Sequence, residues 1–356
     1  MSGTGPGAWV RPSSQPSRIQ TGAEFVKSYV PPDWLIDGIL QRGRLYACTS
    51  LTGHGKTAVW LFNACMIQAG RMVGSLDVTK GNVLILAGEN PEDLKARMLG
   101  MAREYNLKAA DLPDVLPMAF SMNTDEIDRL KLEIAALAKD FALIILDTAA
   151  SFFPGEDENS NVEVGGYARR LRELCECPGY PAVVVLCHPI KNASRDNLVP
   201  RGGGAFMNEL DCNLTLWSDV LGESTYLHWH GKIRGPDFAG LTYKLREVGV
   251  GLKDRRDNDI KTIVAQPIDE NEAANQVKQR LANEDVILKQ IRDHPGRSLS
   301  QMARDAGWMN EAGEPNKWIS QRCIDALKAD KLISQPRRGA GWKLTPAGIA
   351  YLDAQT

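Results

Sequence analysis

The stretch "YACTSLTGHGKTAVW", Tyr46 to Trp60, leaves a chain few ways to fold. An apolar run of strand length enters a Gly-x-Gly-Lys-Thr turn, and a helical pattern leaves it. A strand, turn and helix in this order aim successive backbone N–H groups and a helix N-terminus at one point, which suits a phosphate group. Gly53 and Gly55 let the backbone come close, Lys56 is placed to reach β- and γ-phosphates, and Thr57 to hold Mg²⁺. The expected ATP-contacting set is Ser50, Thr52, Gly53, His54, Gly55, Lys56, Thr57 and Ala58. Ser50 stands where G-x-x-x-x-G-K-[ST] has its first glycine, a small residue in place of a smaller one.

The pattern downstream repeats the theme. "GNVLILAGEN", "FALIILDTAASFF" and "PAVVVLCHPIK" are continuous apolar runs of strand length. Between them lie "NPEDLKARMLGMAREY", "DEIDRLKLEIAALAKD" and "VEVGGYARRLRELCE", which read as helices. Asn90 is the expected N-cap of the first, with Pro91 at its first position, and Gly70 the expected stop of the helix after Lys56. Strands that are apolar on both faces and alternate with helices predict an α/β fold with a mainly parallel, helix-covered sheet. "CNLTLWSD", "TYLHWHGKIRG" and "GLTYKLREVG" read as further strands.

Four segments follow: a Gly/Ser/Pro-rich disordered tail, 1–22; an α/β core, 23–253; a charged linker, 254–282; and a small domain, 283–356. In the last, three helical patterns precede two short strands around the basic turn "QPRRGAG", the order of a winged helix. Trp308, Trp318 and Trp342 are expected in its core and not as a stacking platform.

In a parallel sheet the C-terminal strand ends share one rim, where ligands bind. Asp147 ends one apolar run and fits a second magnesium contact. Glu89 ends another and is the candidate base for water. His188 ends a third, within reach of a γ-phosphate or water.

With these residues in order, the chain resembles the RecA-like ATPases of the RepA type, relatives of DnaB-type replicative helicases. The resemblance covers about residues 24–250: "PPDWLIDGIL", "TSLTGHGKT", "LAGENPEDLKARM", "LIILDTAASF", "VVVLCHPIK", "RGGGAFMNELD" and "HGKIRG". It implies a RecA-like P-loop core, ATP and Mg²⁺ as ligands, and Glu89 as the hydrolytic glutamate. It also implies that Lys232 and Arg234 reach into a neighbouring subunit's site, so that copies assemble, usually six to a ring. Ser50 departs from the family, as does a single His188 where relatives often carry two histidines. The implied activity is an ATP-driven motor on DNA, a ring helicase of phage or plasmid replication. A recombination or annealing ATPase and an ATP-switched winged-helix regulator share the same site.

"KNASRDNLVPRGGGAF" carries Lys191, Arg195 and Arg201 around three glycines. By the resemblance it is a mobile loop facing a central channel and single-stranded DNA. In the small domain the candidate recognition helix offers Lys317, Gln321 and Arg322, and the wing offers Arg337 and Arg338, for duplex DNA or for a docked protein. The net charge of −2 confines any nucleic-acid contact to such local patches. Seven cysteines without a C-x-x-C pair suggest neither a zinc ribbon nor a disulfide framework, and are expected to be reduced in a cytoplasmic protein. No run of about 18 apolar residues predicts a membrane span, and the first 20 residues lack the apolar core of a signal peptide.

Overall fold

A computed structural model describes residues 20–158, 160–218, 224–310, 312–337 and 340–354. Nearly all of the expected tail, and Arg338, lie outside the described residues. The chain divides into two units, Met1–Asp33 and Trp34–Thr356. In the first, helix α1 (Gly22–Lys27) starts on a capping box. The Thr21 hydroxyl accepts the Glu24 N–H, and the Glu24 carboxylate accepts the Thr21 N–H.

The second unit opens with a two-stranded ribbon, β1 (Trp34–Ile36) and β2 (Leu40–Gln41). The core elements then follow as β3 (Leu45–Thr49), α2 (Lys56–Ala69), β4 (Asn82–Ala87), α3 (Pro91–Glu104), β5 (Asp114–Leu116), α4 (Thr124–Ala136), β6 (Phe141–Asp147), α5 (Ala149–Phe152), α6 (Asn161–Glu173), β7 (Ala182–Cys187), α7 (Gly203–Glu209) and β8 (Cys212–Ser218). Three longer strands complete the sheet: β9 (Ser224–Ile233), β10 (Leu241–Lys253) and β11 (Asp259–Ile268). The nine-strand order is β11-β10-β9-β8-β3-β7-β6-β4-β5. Strands β8 through β5 in that order are parallel, and β9, β10 and β11 add antiparallel at one edge.

The continuous apolar runs have the expected cause. Successive side chains of a strand point to opposite faces, and here both faces are buried. On β7, Ala182, Val184 and Leu186 join one core with α2, while Val183, Val185 and Cys187 join the other with α4 and α6. Asn90 accepts the Asp93 N–H at 3.1 Å and Pro91 opens α3, as the sequence predicts. Gly70 closes α2 in the left-handed region, with φ 68°.

The segment 254–282 is not a linker. Its middle is β11, paired along β10, and its end is the first half of α8 (Glu270–Asp293). On β11, Asp259 and Lys261 are exposed, while Thr262, Val264 and Ala265 are buried. Beyond it lie α9 (Leu299–Asp305), α10 (Lys317–Ala329), the paired β12 (Ile333–Ser334) and β13 (Lys343–Leu344), and α11 (Pro346–Asp353). They enclose their own core of Ile287, Leu288, Ile291, Ile324 and Leu327, with Trp308 and Trp342 packed against it. Trp318 departs from expectation: it is 57% exposed. No helix among the described residues is long and apolar enough to cross a membrane.

Candidate nucleotide site

Register brings the strand ends together. Ala87 lies opposite Asp147, Asp147 opposite Leu186, and Cys187 opposite Thr49. The residues that leave these strands therefore share one rim. They line a cleft of about 500 Å³ that includes Thr52, Gly53, Gly55, Lys56, Thr57, Ala58, Glu89, Asp147 and His188. That volume falls within the range of small-molecule sites, about 300–1,000 Å³.

The turn before α2 has the conformation its glycines allow. Gly53 and Gly55 have φ of 85° and 84°, a region costly for other residues. A Cβ on Gly55 would lie 2.9 Å from Leu245 Cδ1, so the turn also needs its slimness. The Lys56 ammonium donates to Ser50 O at 2.8 Å, and to Ser50 Oγ and Leu51 O at 3.3 Å each. Burial holds its pKa below the ordinary lysine value.

Thr57 Oγ1 donates to Asp147 Oδ2 at 2.8 Å. The other carboxylate oxygen, Oδ1, is buried and has no hydrogen-bond partner. Burial pushes the Asp147 carboxyl up to about 6, against the lowering effect of the Thr57 bond. A hydroxyl and a carboxylate with one unsatisfied buried oxygen form an oxygen donor pair that fits Mg²⁺. Beside it, Thr148 Oγ1 donates to Glu89 Oε1 at 2.7 Å, and His188 Nε2 lies 3.6 Å from the same oxygen. Desolvation, and then the Lys56 charge, lower the His188 pKa, which favours neutral imidazole.

Two members of the expected set turn away from the cleft. Ser50 is wholly buried beneath the Lys56 ammonium. His54 Nδ1 accepts the Ser218 N–H at 3.0 Å, and the His54 ring packs edge-on against Trp217, 5.2 Å between centroids. The loop conformation points this side chain at the end of β8.

Lys232 and Arg234 are not brought to this cleft. Strand β9 runs antiparallel to β8, so its end, Ile233, lies beside Cys212, which lies beside Tyr46. That is the sheet end remote from the phosphate turn. Lys232 Nζ donates to Met207 O and Asn208 O at 2.8 and 2.7 Å. The Arg234 guanidinium binds Asp211 at 3.1 Å, where Arg172 at 3.0 Å and Arg44 at 3.4 Å also converge.

Lys191, Arg195 and Arg201 are exposed beyond β7. Their segment is pinned at its base: Ile190 N–H donates to Val199 O and Arg201 N–H to His188 O. Arg201 pairs with Glu158 at 3.2 Å, and Arg195 lies 6.0 Å from the centre of the Tyr226 ring. The three glycines do not form an open loop, because Gly203 and Gly204 begin α7. On α10, Lys317 and Gln321 are exposed, as is Arg337 between β12 and β13. Arg322 is not: it is 8% exposed, with its guanidinium 3.8 Å from the centre of the Trp318 ring. Residues four apart stack on a helix face, and this pair leaves little of Arg322 at the surface.

The cleft also holds residues that the sequence reading missed. Arg97 of α3 binds Asp93 at 2.6 Å and Ile263 O at 3.0 Å. Leu245, Glu247 and Ile263 come from β10 and β11, and Trp318 from α10. Asp93 and Arg97 are spaced i,i+4 on a helix, which reads as an ordinary surface pair.

A glycine-lined strand-to-helix turn, a buried lysine, and a threonine–aspartate pair at one sheet rim define a P-loop nucleotide site. The sequence profile of the AAA domain matches residues 12–194, and the chain belongs to that family of P-loop ATPases. No curated protein matches the chain at a significant level.

Proposed function

We propose that this protein is an ATP-driven RecA-like motor on DNA, a ring helicase of the RepA or DnaB type, with a winged-helix module at its C-terminal end. One observation carries the reading. Lys56, Thr57, Asp147 and Glu89 share one rim, whereas Lys232 and Arg234 sit at the far end of the same sheet. In this reading the two cations exchange their contacts within the chain for the site of another copy, in an assembly that the resemblance to RepA-type ATPases makes a hexamer.

In this mechanism Lys56 leaves its loop carbonyls for the β- and γ-phosphates, and the N–H groups of the turn hold the same oxygens. Thr57 and Asp147 would hold Mg²⁺, whose charge offsets that of the phosphates. Glu89, fixed by Thr148, orients the attacking water and receives its proton. His188, neutral and beside Glu89, hydrogen-bonds the γ-phosphate or that water. Arg234 from a neighbour offsets charge that develops as the phosphoryl group transfers. Lys191, Arg195 and Arg201 contact single-stranded DNA through its backbone, and Lys317, Gln321 and Arg337 face duplex DNA.

The test is ATP turnover with and without single-stranded DNA, alongside strand displacement. Lys56→Ala should abolish turnover. Arg234→Ala should bind ATP and assemble yet hydrolyse poorly, and mixing with Glu89→Gln subunits should restore part of the rate, because a mixed interface joins an intact Glu89 to an intact Arg234. Full turnover by Arg234→Ala alone would remove the shared site. A regulator reading is favoured by one contact, that of Trp318 with the nucleotide cleft. Binding to one duplex sequence without strand displacement would select it.

A further inference from the structure

Lysine, threonine and two carboxylates account for the phosphate end of the cleft but leave its other wall unexplained. That wall comes from distant chain: the apolar Leu245 on β10, Ile263 on β11 and Trp318 on α10, with the charged Glu247 on β10 and Arg97 on α3 beside them. Leu245 lies directly over Gly55, so this wall continues from the phosphate turn.

Trp318 is an unusual residue to find there. Its module has its own core, which encloses Trp308 and Trp342 but not Trp318. An indole 57% exposed leaves much apolar surface in water. It is nonetheless held in place. Arg322, one helical turn on and itself buried, lies over the ring at 3.8 Å. The guanidinium covers one face of the indole and fixes its plane, while the side chain lines the cleft. An aromatic plane held by a guanidinium, in one cleft with branched aliphatic side chains and a phosphate turn, suits a flat heterocycle.

We propose that Trp318 is the platform for the base of the bound nucleotide, and that the C-terminal module thereby closes over its own chain's ATP site. This rests on the nucleotide reading of the cleft and extends it to the base. Every base has a π-face, so stacking of this kind discriminates weakly among bases. The site should therefore accept GTP and CTP with affinities near that of ATP. Because Lys317 and Gln321 share α10 with Trp318, base stacking also restrains the helix that carries the proposed duplex contacts.

The experiment compares two ligands that differ in having a base: ATP and inorganic tripolyphosphate, each with Mg²⁺, by titration calorimetry. The proteins are the full chain, Trp318→Ala, Trp318→Phe and Lys56→Ala. Stacking by one aromatic ring predicts that Trp318→Ala loses about 5- to 140-fold in ATP affinity. Its tripolyphosphate affinity should be unchanged, and Trp318→Phe should recover most of the loss. Lys56→Ala should weaken both ligands. Equal ATP binding by wild type and Trp318→Ala would overturn the platform while leaving the phosphate site intact. A parallel loss of tripolyphosphate would overturn it too, by making Trp318 a structural support. A wild-type chain that binds neither ligand would overturn the nucleotide reading, and the platform with it.

Discussion

Asp211 offers the sharpest test of how the far end of the sheet is built. Its side chain is 3% exposed and accepts from four donors. Oδ1 receives Arg44 at 3.4 Å and Arg234 at 3.1 Å; Oδ2 receives Arg172 at 3.0 Å and the Leu45 N–H at 2.9 Å. Asp211→Asn keeps the shape but removes the charge. Whichever oxygen becomes the amide nitrogen, an NH₂ then faces two donors: both guanidiniums, or a guanidinium and the Leu45 N–H. Charge-assisted bonds contribute about 1.5–3 kcal/mol each, and removing one member of a buried ion pair costs about 3–5 kcal/mol. Arg44, Arg172 and Arg234 are 36%, 32% and 53% exposed, so water offsets part of that loss. The expected destabilisation is about 3 kcal/mol, read by equilibrium urea unfolding. The Arg234 N–H bond to Asp211 O, 2.8 Å, survives the substitution, so the backbone should stay in place while the side chain is released. Turnover should fall accordingly, and mixing with Glu89→Gln subunits should restore part of it. A variant that unfolds within about 0.5 kcal/mol of wild type, the range of an ordinary surface change, would refute this account of the cluster.

Other outcomes follow from the same geometry. With the Asp147 carboxyl at about 6, acidification through pH 6 should protonate it and raise the Mg²⁺ concentration needed for half-maximal turnover between pH 7.5 and 5.5. The sign for stability is opposite: a carboxyl raised by folding binds its proton more tightly in the folded state, so the metal-free protein gains stability as pH falls through that value. Gly55→Ala places a Cβ at φ 84° and 2.9 Å from Leu245, and should cost about 1–2 kcal/mol in urea unfolding and weaken ATP binding. Lys191→Ala and Arg195→Ala should each lower the slope of log affinity against log salt for single-stranded DNA by about 0.7, as measured by fluorescence anisotropy.

The buried centre of the fold was legible because its pattern has one physical meaning. β4, β6 and β7 are apolar on both faces, and alternation of such runs with helices is the mark of a covered parallel sheet. Asp147 ends β6, Glu89 and His188 follow β4 and β7 closely, and the structure brings all three to one cleft. The edges were less legible. β11 has a half-exposed pattern, and the charges before and within it imitate a linker. β5 is three residues long, too short for periodicity to register. On α10 the sequence shows an amphipathic helix but not which side its cations take. Arg322 is buried and Trp318, one turn earlier, is exposed, a distribution that depends on tertiary packing. The position of His54 in the sequence is that of a cradle residue, yet its ring is fixed by Ser218, more than 160 residues away.

The antiparallel edge of the sheet has a practical consequence for anyone dividing this chain. Cutting after Lys253, at the expected end of the core, would strip β11 from β10 and leave a long row of unpaired amides and carbonyls open to other strands. It would also uncover α3, where Gly100 exists so that Thr262 can fit: a Cβ there would sit 2.5 Å from the threonine methyl. The Tyr105 hydroxyl would lose Ala265 O, and Arg97 would lose Ile263 O. The shortest fragment that stays soluble should therefore end past Ile268. Sequence drift in this late ribbon, which lies outside the stretch shared with the AAA domain, can reshape the nucleotide cleft while every recognisable motif stays the same.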